Sequence, residues 1–85
     1  MMRIKKNIAI SDSGFVFNPT TGDSYSMNRI GRQILDYLRE GNTLEEIKPR
    51  MTEEYDVDEA SFEKYYFDFL SMLRQFELLD EKNED

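Results

Sequence analysis

The sequence predicts an α+β domain in which a three-stranded antiparallel meander is followed by three helices (β-β-β-α-α-α). Three observations carry this. Up to residue 28 the apolar residues fall in short runs separated by turn chemistry, Ser11-Asp12-Ser13-Gly14 and then Asn18-Pro19 through Gly22. Beyond residue 28 they recur at helical spacing in three blocks. Each block opens on a residue suited to capping a helix: Asn28, Thr43 or Asp58.

The elements follow in order. Met1 to Lys6 is basic and is expected to fray. Asn7 to Ile10 is a short strand with Ile8 and Ile10 on one face. Phe15-Val16-Phe17 is apolar at every position, as a central strand would be. The next turn uses Pro19 to pre-set one corner and Gly22 to take a left-handed conformation. The third strand, Asp23 to Met27, places Tyr25 and Met27 on one face and polar side chains on the other. Its far side is expected to lack a partner. Asn28 caps a first helix, Arg29 to about Glu40, which Gly41 ends. Ile30, Ile34, Tyr37 and Leu38 are its apolar stripe. Thr43 and Glu46 form a capping box for a second helix, expected to reach Tyr55 with a kink or break at Pro49. Asp58 caps the third, with Val57 stapling onto Phe62, and Leu78 and Leu79 close against the domain. The expected core is Ile10, Phe17, Tyr25, Ile30, Ile34, Leu38, Leu44, Ile47, Phe62, Phe69 and Leu73.

Composition bounds the function. Eighty-five residues make one small domain, and 39% apolar residues suffice for a packed core. The net charge of −7 repels phosphate backbones and acidic membranes, so neither nucleic acid nor membrane is an expected partner. The chain contains neither Cys nor His, which excludes disulfides and Ser-His-Asp or Cys-His catalysis. MMRIKK leads into no apolar run, so no signal peptide is expected, and the expected location is the cytoplasm. The glycines form no phosphate-binding pattern, and Glu45-Glu46 and Glu53-Glu54 read as solvated faces, because neighbours on a helix point apart. No enzyme activity, cofactor or metal is expected. Arg29, Arg32 and Arg39 either balance an acidic surface or offer a patch to an acidic partner.

The third helix carries more apolar surface than one face needs. Phe62, Tyr66, Phe69 and Leu73 form its central stripe. Tyr65, Met72 and Phe76 widen it on one side, Phe67 and Leu70 on the other. Either the helix lies centrally beneath the other elements, or one flank lines an exposed groove. An open edge strand beside such a groove suits an extended peptide, because the edge supplies backbone pairing and the groove supplies side-chain pockets.

With the elements in this order the chain resembles the PqqD-like family, the pyrroloquinoline quinone biosynthesis protein D relatives. The resemblance lies in Gly14 followed by FVFNP, TTGDSYSMN, Ile30-Gly31, Gln33-Ile34-Leu35, LEEI at Leu44–Ile47, EYDVD at Glu54–Asp58, and FLSML with ELL. It spans roughly Ile8 to Leu79. At Tyr65 the chain departs from the pattern, many relatives being acidic there. The resemblance implies a winged-helix-like domain over residues 1–79, with 80–85 a disordered acidic tail. It implies a non-catalytic peptide chaperone that recognises the leader of a ribosomally synthesised precursor and presents it to a modifying enzyme, often a radical SAM enzyme. The leader would add as a strand along Asp23, Ser24, Tyr25, Ser26 and Met27, over a groove lined by Tyr65, Phe69 and Met72. A monomer or weak homodimer is expected, since an open edge can also pair with its own copy.

Two other readings use the same elements. A winged helix can bind DNA through its last helix, but the outer face here carries Glu63, Lys64, Asp68, Ser71, Arg74 and Gln75, a mixed set. A protein-interaction module with no part in peptide maturation is the other.

Overall fold

A computed structural model describes residues 3–80. Ladder pairing begins earlier than the basic N-terminus suggests. Strand β1, Arg3–Ile4, pairs antiparallel with β5, Leu79–Asp80, joining the two ends of the described chain. Ile4 and Leu79 turn inward there, at 6% and 7% exposure. The expected fraying therefore does not extend to Arg3 and Ile4. Asp80, assigned to the tail from sequence, is paired; residues 81–85 lie outside the described part.

The three-stranded sheet has the order β2-β3-β4, with β2 at Ala9–Ile10, β3 at Phe15–Asn18 and β4 at Asp23–Ser26. Phe15 to Phe17 is central, as its uninterrupted apolar character predicted. Its phase is the reverse of the expected one. Val16 is fully buried, whereas Phe17 is 42% exposed on the outer face and no part of the core. A run apolar at every position has no alternation from which to read the inward face, and here packing against the helices selects the residues next to Phe17. Tyr25 sits opposite Val16, so it too faces inward. The β3–β4 turn has Gly22 at φ +79° and closes with Gly22 N–H on the Asn18 carbonyl at 2.8 Å.

Helix α1, Arg29–Arg39, starts where Asn28 Oδ1 accepts from Gly31 N–H at 2.8 Å. It ends with Gly41 at φ +86°. Helix α2, Leu44–Tyr55, opens with Glu46 accepting from Thr43 N–H at 2.8 Å, as a capping box does. Of the kink or break expected at Pro49, the break does not occur: the helix runs through Pro49, which has no N–H to donate. Helix α3, Glu59–Gln75, begins at Asp58, whose carboxylate accepts from Ser61 N–H at 3.0 Å. That bond and a second from the Ser61 hydroxyl hold the Asp58 carboxyl below its ordinary value.

The core lies between the three helices and the inner face of the sheet. Ile34, Leu35, Leu38, Ile47, Met51, Leu70 and Leu73 are fully or almost fully buried. Each such side chain contributes about 1.5–3 kcal/mol through its removal from water. Of the expected core residues, Ile10, Tyr25, Ile30 and Leu44 are half-buried against this cluster. A tie between α2 and α3 comes from Lys48, whose ammonium lies 2.5 Å from Glu63.

Candidate functional site

The hydrogen-bond phase of the β3–β4 ladder decides what the edge offers. Met27 N–H donates to Gly14 C=O at 2.9 Å. With Phe15 opposite Ser26, Val16 opposite Tyr25 and Phe17 opposite Ser24, that bond fixes the alternation. The backbone groups of Tyr25 and Met27 turn toward β3, and those of Ser24 and Ser26 turn outward. Among the described residues β4 has no strand beyond it. The opposite edge is weaker. Ser11 N–H donates to Phe15 C=O, so Ala9 also points at β3 and, within β2, only Ile10 directs backbone groups outward.

Beside this edge runs one stripe of α3. The Tyr25 and Phe76 rings stack with centroids 4.1 Å apart and planes 8° from parallel, so the C-terminal end of α3 lies under β4. Phe69, two turns earlier, supports the start of α1. A Cβ placed on Gly31 would sit 3.0 Å from the Phe69 ring, so glycine permits the approach. Tyr65 stacks on Phe69 at 6.3 Å. It also lines a cavity of about 350 Å³ with Ile30, Met51, Tyr55, Val57 and Phe62. Met72 is half-buried against the core.

The residues expected to bind thus divide by role. Asp23, Ser24 and Ser26 are exposed on the edge; Tyr25 and Met27 are half-buried beneath it. Tyr65 is 37% exposed, whereas Phe69 at 8% is a floor that carries Tyr65. The other flank faces elsewhere. Leu70 is fully buried, and Phe67, 51% exposed, borders a separate cavity of about 420 Å³ with Gly41, Asn42, Thr43, Leu44 and Glu45. Sequence reasoning did not assign Phe76 to the site, although it shares the stripe of Tyr65, Phe69 and Met72 at helical spacing.

From sequence Asn18 is a turn residue and nothing more. It is 1% exposed and donates through Nδ2 to the carbonyls of Phe76 and Glu77 at 3.4 and 3.3 Å, while its Oδ1 accepts from Thr20 N–H at 3.0 Å. It fastens the hairpin to the end of α3, where the chain turns through Glu77 at φ +60°. No periodicity marks a buried asparagine.

Electrostatics at the site are mild. Burial pushes the Tyr25 phenol up, with further contributions from the charge of Asp23, a hydrogen bond to it, and the charge of Glu77. The arginines at the start of α1 are occupied within the molecule. Arg29 approaches Glu54 at 3.7 Å and lies over the Tyr55 ring, and Arg32 pairs with Asp36 at 3.5 Å and donates to the Asp12 carbonyl at 2.7 Å. Those contacts favour surface balance over a patch for an acidic partner. Among the described residues no group of three or more potential ligands gathers to hold a metal, and no helix is long and apolar enough to cross a membrane.

Hairpin, edge and helix stripe together define a small α+β domain whose open strand lies beside aromatic side chains of α3. The chain belongs to the PqqD family, described as Coenzyme PQQ synthesis protein D, whose profile matches residues 14–79. Its backbone is similar to that of TbiB1 in complex with the TbiA(beta) leader peptide, with a TM-score of 0.83, 29% identity, and coverage of 96% of this chain and 99% of that one. It is also 34% identical over 79 residues to Ubiquitin C-terminal hydrolase 12 of Arabidopsis thaliana, a match covering 89% of this chain. The chain spans about 7% of the length of that curated relative.

Proposed function

We propose that this protein binds the leader segment of a ribosomally synthesised precursor peptide as a strand on β4 and presents the precursor to a modifying enzyme, such as a radical SAM enzyme. The observation that carries this reading is the outward N–H and C=O of Ser24 and Ser26 beside the stacked Tyr25 and Phe76 rings. Pairing with the edge fixes register, and Tyr65, Met72, Phe76 and Met27 receive alternate side chains. A leader is disordered before binding, so ordering it opposes association, and apolar burial in the groove offsets that cost. Membership of the PqqD family and the likeness to a leader-bound protein support the assignment.

The proposed role is binding; with neither Cys nor His, Ser-His-Asp and Cys-His chemistry has no residues to carry it. It belongs in the cytoplasm, where a ribosomally made precursor meets its enzyme. DNA binding is disfavoured by the net charge of −7 and by the outer face of α3, where Lys64 is already paired with Asp68 at 3.6 Å. An NMR titration with a synthetic precursor leader peptide tests the proposal. Shifts are expected across Asp23–Met27 and along Tyr65–Phe76. Shifts confined to α1 would refute it.

A further inference from the structure

The outer face of the sheet carries a feature that the groove does not use. Phe15 and Phe17 are 56% and 42% exposed, side by side on the central strand. Their neighbours across the β4 ladder are Ser26 and Ser24. Both are non-hydrogen-bonded pairs, the kind that brings side chains closer. Serine is too small to cover a phenyl ring, so each ring stays open toward the β4 edge. The same two serines direct their backbone groups at an incoming strand. Residues of that strand paired with Ser24 and Ser26 must therefore project on the outer face, over the serines and toward Phe17 and Phe15.

We propose that the sheet's outer face is a second specificity surface for the bound leader, with Phe15 and Phe17 contacting bulky apolar side chains two residues apart. The inference rests on the reading of β4 as the leader-binding edge. It adds that the leader is gripped on both faces, one set of alternate residues in the α3 groove and the other over Phe15 and Phe17. Covering a half-exposed phenylalanine with an apolar side chain is a favourable increment, and two such contacts are expected to change affinity by about tenfold or more.

The test uses a random twelve-residue phage-displayed library panned on the full chain. Selected peptides are then measured against Ser24→Pro, to identify those bound at the edge, and against Phe15→Ser/Phe17→Ser. Both phenylalanines are exposed, so the double variant is expected to fold, which its thermal transition checks. Edge-binding peptides should lose at least about tenfold affinity for the double variant. Replacing their outward apolar residues by serine should remove that difference while the groove-facing residues still bind. Edge-binding peptides held within twofold by the double variant would overturn the second surface and leave the edge reading standing. Peptides all insensitive to Ser24→Pro would overturn both. Scattering that shows a dimer dissolved by the double variant, with no change in peptide affinity, would assign the phenylalanines to a second copy and overturn the proposal.

Discussion

Asn18 offers the sharpest test of how the hairpin is held on the end of α3. Replacing it by alanine removes three hydrogen bonds at once: the donations to Phe76 C=O and Glu77 C=O, and the acceptance from Thr20 N–H. The two donations are long, at 3.4 and 3.3 Å, and fall at the weak end of about 0.5 kcal/mol each. The Thr20 bond at 3.0 Å contributes about 1 kcal/mol. Adding the void left by a side chain at 1% exposure gives a loss of about 2–3 kcal/mol for Asn18→Ala. With a urea m-value of about 1 kcal/mol/M for so small a domain, the midpoint should fall by about 2–3 M.

Asn18→Asp separates hydrogen bonding from size. A carboxylate would face two carbonyl oxygens with nothing to donate, so its pKa must rise in the folded state. The sign follows: the folded protein binds the proton more tightly than the unfolded chain. The penalty is therefore smallest below the unfolded pKa of about 4 and grows as pH rises to the folded value. Urea titrations of both variants from acid to neutral pH measure this, and the Tyr25–Phe76 ring contact reports whether the hairpin has lifted. A midpoint shift under about 0.3 M for Asn18→Ala, or a pH-independent penalty for Asn18→Asp, would refute the account.

Other outcomes follow from the same geometry. Ser24→Pro removes only an outward donor and should preserve the fold while lowering leader affinity, whereas Tyr25→Pro breaks the pair with Val16 and should unfold the hairpin; circular dichroism and calorimetric titration distinguish them. Phe69→Ala should cost about 3–5 kcal/mol in chemical denaturation, because its ring floors both Tyr65 and the start of α1. Asp58, with its pKa lowered mainly by the Ser61 N–H bond, contributes stability that is present above the unfolded pKa and lost as pH falls through the folded one. Asp58→Asn keeps the cap, so it should match the parent near pH 7 and lose that part of its acid sensitivity below about pH 4. Light scattering should show a monomer at low concentration and weak dimerisation through β4 that Ser24→Pro abolishes; a dimer surviving that substitution would place self-association elsewhere.

Local chemistry made most of the fold legible. Asn28, Thr43 with Glu46, Asp58, Gly22 and Gly41 each act within a few residues of themselves, and each sits where its own side chain or backbone freedom dictates. The helical stripes were equally clear, because Ile34, Leu38, Ile47, Phe62 and Leu73 repeat at a spacing only a helix brings to one face. The misreadings lie where a distant partner decides. Arg3 and Ile4 belong to a strand only because Leu79 and Asp80 return to meet them, some seventy-five residues later. Val16 rather than Phe17 faces the core because the helices pack on that side, a choice that three consecutive apolar residues leave open. Asn18 is buried because the end of α3 presents two carbonyls to it.

The candidate site shows the same division. The edge could be anticipated because Ser24, Tyr25 and Ser26 alternate, but which of them turn their backbone outward depends on the register with Gly14 to Asn18. That register places the two small residues, rather than Tyr25, at the outward positions. A tyrosine there would leave a bulky ring on the outer face and remove the stack that joins the hairpin to Phe76. Serine at both positions leaves the outward donors and acceptors uncrowded, while tyrosine between them anchors the strand from beneath. Small outward residues to admit an added strand and a large inward one to hold its own strand in place are complementary requirements, and a period of two meets both in three consecutive residues.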